Sequence, residues 1–101
     1  MYLVQLLLPL YDNEKRPFGR EQLDGVRAEL AEKFGGVTAY QRSPAEGVWK
    51  EDGEISHDQI IVFEVMAKRL DRNWWAGYRA DLEERFRQEI IVIRSTEMEQ
   101  L

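Results

Sequence analysis

The chain has 101 residues, 44% of them hydrophobic and 33% charged, a length and balance that fit one globular domain spanning 1–101 and exclude a disordered or membrane-embedded class. Nineteen acidic against fourteen basic residues give a net charge of −5, which opposes contact with nucleic-acid phosphates. The absence of cysteine excludes disulfides, thiolate nucleophiles and thiolate-bound metals, and fits a cytoplasmic setting.

The run Met1 to Leu10 is apolar but has no basic leader and is half the length of a bilayer span, so it reads as a buried strand with no membrane role. Pro9 ends it, and Tyr11 to Pro17 reads as a loop. From Arg20 to Phe34, the residues Leu23, Val26, Leu30 and Phe34 recur at helical spacing with charges between them, and Gly35-Gly36 supplies the stop. Val37 to Gln41 has strand character. After the Ser43-Pro44-Ala45-Glu46 interruption, strand character resumes over Gly47 to Lys50, and Asp52-Gly53 marks a tight hairpin leading into Glu54 to His57. The β-branched run Ile60 to Met66 reads as a central strand. Asp71 is positioned to cap a second helix whose apolar stripe is Trp75, Tyr78, Leu82 and Phe86. Glu89 to Ser95, with Ile90 to Ile93 inside it, reads as the last strand.

The resulting order, βαββαβ, predicts an α+β ferredoxin-like fold: a four-stranded antiparallel sheet in spatial order 4132 with two helices on one face. Alternation then divides the strands. Val4, Leu6, Leu8, Val37, Ala39, Ile61, Phe63, Val65, Ile91 and Ile93 are expected to face the helices. The outward set is Leu3, Gln5, Leu7, Thr38, Tyr40, Arg42, Ile60, Val62, Glu64, Met66, Ile90, Val92 and Arg94. Eight of these thirteen are apolar or Tyr, more than a sheet face open to water should carry, so a second copy is expected to cover it in a homodimer.

Gln5, Arg42, Glu64 and Arg94 fall within that face. Two readings stand: a polar anchor for a small-molecule ligand in an apolar pocket, or a hydrogen-bonded cluster that sets the register of the interface. With Tyr40 and Trp74, the residues Gln5 and Arg42 form the expected ligand-binding set. Glu64 and Arg94, together with His57, are the candidates for acid–base chemistry. His57 is the single histidine, flanked by Asp58 in an acidic hairpin, and reads either as a solvated residue or as a base tuned by its neighbour. One imidazole without thiols makes a metal or haem site unexpected, and no cofactor is implied. Trp74 cannot share the centre of a helical stripe with Trp75, so it is expected at the edge of the helix layer, lining a pocket or covering the first loop. No glycine-rich phosphate loop or nucleophile elbow is present. An RNA-recognition domain would expose aromatic and basic residues where this sheet carries aliphatic residues with Gln5 and Glu64.

The element order, the Phe34-Gly35-Gly36-Val37-Thr38 junction and the Gly47-Val48-Trp49 segment resemble small bacterial ferredoxin-like domain families, many of unknown function. The apolar outward face resembles that of the dimeric α/β-barrel group, which includes cofactor-independent monooxygenases, haem-degrading enzymes and dehydratase or isomerase relatives. That resemblance implies a homodimer. It also implies an alternative function as a cofactor-independent small-molecule enzyme.

Overall fold

A computed structural model describes residues 1–42, 50–51, 54–55 and 59–101, of which 42, 50–51 and 54–55 are described by their backbone alone. In chain order the elements are β1 (Tyr2–Pro9), α1 (Arg20–Phe34), β2 (Thr38–Arg42), β3 (Lys50–Glu51), β4 (Glu54–Ile55), β5 (Ile60–Ala67), α2 (Arg72–Arg85) and β6 (Val92–Glu97). The main sheet has four strands in the order β2-β5-β1-β6, all neighbours antiparallel. With both helices in one layer against it, this is the expected ferredoxin-like α+β arrangement. The short strands β3 and β4 pair with each other as a separate ribbon, and the Asp52-Gly53 turn between them lies outside the described residues.

The inward set behaves as the alternation requires. Val4, Leu6 and Leu8 of β1 and Ile61, Phe63 and Val65 of β5 are buried against Val26 and Leu30 of α1 and Trp75, Tyr78 and Leu82 of α2, while Val37, Ala39 and Ile93 are partly buried at the margin. Two terminators are made by different chemistry. Gly35 closes α1 in the left-handed region at φ 78°, its N–H bonded to the carbonyl of Ala31, a conformation that costs a side-chain-bearing residue energy. Asp71 starts α2 by accepting a hydrogen bond from the N–H of Trp74 at 3.1 Å, satisfying one of the helix's unpaired donors.

Two details differ from the sequence reading. The last strand begins at Val92 rather than Glu89, because residues 87–91 are used in leaving α2: Arg87 takes φ 51°, Gln88 N–H bonds back to Glu83, and the Ile91 N–H bonds to the Glu83 carboxylate at 2.9 Å. Ile90, expected on the outward sheet face, therefore lies outside the strand and is 76% exposed. Val62 does lie on that face, opposite Leu7 and Tyr40, but it is fully buried within the chain. The exposed apolar part of the face is consequently smaller than thirteen alternating positions imply, and is carried by Tyr40, Met66 and Val92, 39%, 50% and 47% exposed.

Candidate functional site

Antiparallel pairing sets Gln5 of β1 directly opposite Glu64 of β5 on one side and Arg94 of β6 on the other. Tyr40 of β2 pairs with Val62 and is diagonal to Glu64, a separation that a phenol can bridge. All four side chains leave the sheet away from the helices, and they meet. Glu64 Oε1 accepts from Gln5 Nε2 and from the Tyr40 hydroxyl, each at 2.7 Å. Gln5 Oε1 accepts from Arg94 Nε at 2.8 Å. The amide of Gln5 is thereby oriented by its neighbours, its NH₂ toward the carboxylate and its oxygen toward the guanidinium. A chain of unlike polar groups crosses the sheet from one edge strand to the other.

One end of this chain opens into a groove. Glu64 lines a hollow of about 460 Å³ with Leu3, Val37, Thr38 and Met66, at whose rim lie Gly35 and Gly36. A Cβ at either glycine would meet nothing within 4 Å, so the rim is wide for lack of side chains. Both hydrogen bonds to Glu64 fall on Oε1, and Oε2 has no hydrogen-bond partner among the described residues. A carboxylate oxygen in apolar surroundings is an acceptor for a hydroxyl or amino group of a ligand.

Four of the expected residues, Gln5, Tyr40, Glu64 and Arg94, are thus brought together. Arg42 is the last residue of β2, pairing with Ile60 at the same sheet edge, and its side chain lies outside the described residues. His57 also lies outside them. Trp74 belongs elsewhere: it sits half-buried on the helix layer, stacked on Tyr78 at a centroid distance of 4.9 Å with Lys33 Nζ 4.4 Å from its ring. Trp74 lines a hollow there with Lys33, Tyr78 and Arg85, the pocket-lining alternative expected of it, while Phe18 packs edge-on against Phe86.

Beside Trp74, the helices carry a charge cluster that sequence spacing only half discloses. Arg85 grips Glu29 of α1 with two hydrogen bonds of 2.6 and 2.9 Å, and Asp81 of its own helix at 2.6 Å. The i,i+4 spacing of Asp81 and Arg85 is visible in the sequence, whereas Glu29 is 56 positions away and meets Arg85 only through helix docking. The guanidinium holds both carboxyls below their ordinary values, and the two carboxylates raise Arg85 further above its own. Burial, reinforced by the Glu29 carboxylate nearby, pushes the Tyr78 phenol upward. Its oxygen is buried and faces Glu29 without hydrogen-bond geometry. With Arg85 occupied on both sides, this cluster joins α1 to α2.

Among the described residues no group of three or more His, Asp or Glu is placed to hold a metal ion, and no helix is long and apolar enough to cross a membrane. Comparison with protein-family models, with curated proteins and with solved structures yields no match.

Proposed function

We propose that the outward face of the sheet binds a small molecule bearing a hydroxyl or amino donor, within a homodimer whose second copy covers the remaining apolar surface. The observation that carries this reading is the Glu64 carboxylate: one oxygen is saturated by Gln5 and Tyr40, and Glu64 lines a mainly apolar groove with Leu3, Val37, Thr38 and Met66. The flanking hydrogen bonds hold the acceptor still, which reduces the ordering cost of binding. Exposed Met66 and Val92 beside half-buried Leu3 and Leu7 support a covering copy. The cysteine-free composition supports a cytoplasmic setting.

The alternative, a cofactor-independent enzyme, asks for two of the chemically capable groups in one closed cavity. Glu64 and Arg94 are linked through Gln5 on one face of the sheet, but the groove that Glu64 lines is open rather than closed, which favours binding over catalysis. The test is a thermal-shift screen of small aromatic alcohols and amines against the intact protein, since a ligand selective for the native state raises apparent stability. Compounds that stabilise the wild type are expected to lose their effect in Glu64→Gln and in Gly36→Trp, which fills the open rim. Failure of every compound, or responders that ignore both substitutions, would remove the reading.

A further inference from the structure

A second hollow, of about 230 Å³, lies on the other side of the sheet, between α2 and the edge strand β6. Its floor is apolar, formed by Val4 and Ile93 of the sheet with Leu70 and Trp75. The rim is cationic. Arg72 and Arg79 are seven residues apart on α2, about 20° from two full turns, so they share one stripe of the helix with Ala76 between them. The small side chain of Ala76 leaves the space over the floor open, and the β6 side of the rim is made by Ser95 and Arg94. The Arg94 side chain leaves the opposite face of the sheet, where its Nε–H is given to Gln5, so the guanidiniums of Arg72 and Arg79 are the charges on the helix side.

Arg16, Arg20, Arg27 and Arg85 each stand against an aspartate or glutamate, whereas Arg69, Arg72, Arg79, Arg87 and Arg94 do not among the described residues; what sets Arg72 and Arg79 apart is that both line one hollow from one stripe of α2. Among the described residues Arg72 and Arg79 form no ion pair, and no acidic residue lines the hollow. Asp71, next to Arg72, has its carboxylate committed to capping α2. Two unpaired guanidiniums and a hydroxyl around an apolar floor make a receptor for an oxyanion attached to an apolar body.

We propose that this hollow binds a small organic anion, its carboxylate or phosphate gripped by Arg72 and Arg79 with the Ser95 hydroxyl as a further donor, and its apolar body resting on Trp75 and Ile93. The site is separate from the groove at Glu64, and neither proposal depends on the other. Isothermal titration of the intact protein with phenyl phosphate, benzoate, inorganic phosphate and benzyl alcohol tests it and separates the two sources of oxyanion. At least one of phenyl phosphate and benzoate is expected to bind, more tightly than inorganic phosphate, while benzyl alcohol does not. Arg72→Ala and Arg79→Ala should each weaken the organic anion by at least about tenfold, the worth of one charge-assisted hydrogen bond, and Arg87→Ala should leave it unchanged. Ala76→Leu, which fills the hollow while keeping both charges, should abolish organic-anion binding. Equal binding of inorganic phosphate and the aryl anions, undiminished binding by Ala76→Leu, or no binding of either aryl anion to the wild type would overturn the assignment.

Discussion

Arg85 holds two carboxylates from two helices, and its removal takes away the cation that lies between Glu29 and Asp81. Both carboxyls are held below their ordinary values of 4.5 and 3.8, so the unfolded chain takes up protons more readily than the folded one. The stabilisation is therefore present above those values and is lost as the pH falls below them. Because the pair is partly exposed, Arg85→Met should cost only about 1 kcal/mol at pH 7, and urea unfolding at pH 3 should show the gap narrowed. A gap undiminished at pH 3 would mean that packing of the Arg85 stem, not its charge, joins the helices. This contact was illegible in the sequence, since nothing in either helix alone specifies their crossing. The chain through Gln5, Glu64 and Arg94 was legible because strand alternation and the βαββαβ order bring those positions to one face of adjacent strands.

Helix and strand ends show where local rules suffice. The limits of α1 and α2 coincide with chemistry readable from one or two residues, Gly35 at a left-handed turn and Asp71 at a cap. Each has a measurable worth: Asp71→Ala and Gly35→Ala should each lower stability by about 1 kcal/mol in urea denaturation, and an unchanged midpoint for either would remove its assigned role. The start of β6 does not yield to local rules. Ile90 and Ile91 are as β-prone as Val92 and Ile93, but a strand needs a partner, and β1 reaches β6 only from its Leu7 pairing with Val92 onward. Where α2 ends and how the Glu83 carboxylate captures the Ile91 N–H decide the boundary, and both are tertiary facts.

For the molecule as a whole, the fully buried Val62 redirects the test of assembly. Val62→Glu would force a charge into the chain's own interior and unfold it, whereas Met66, half exposed on the same face, can change without that penalty. Met66→Glu is expected to remain folded by circular dichroism and to convert a dimer to a monomer by light scattering; a monomeric wild type would remove the need for a covering copy. The polar chain across the sheet also acts as an error-detecting code. Sliding β1 by two residues against β5 keeps every apolar side chain on its proper face, so hydrophobicity alone tolerates the slip. It would set Gln5 against Val62 or Met66 and Glu64 against Leu3 or Leu7, breaking the pattern in which the two face each other across the strand pair. Replacing Gln5 and Glu64 together by Leu should therefore leave the sheet folded but with degenerate register, seen as doubled amide resonances for β1 and β5, while a single set of resonances would show that the turns and core suffice to encode the pairing.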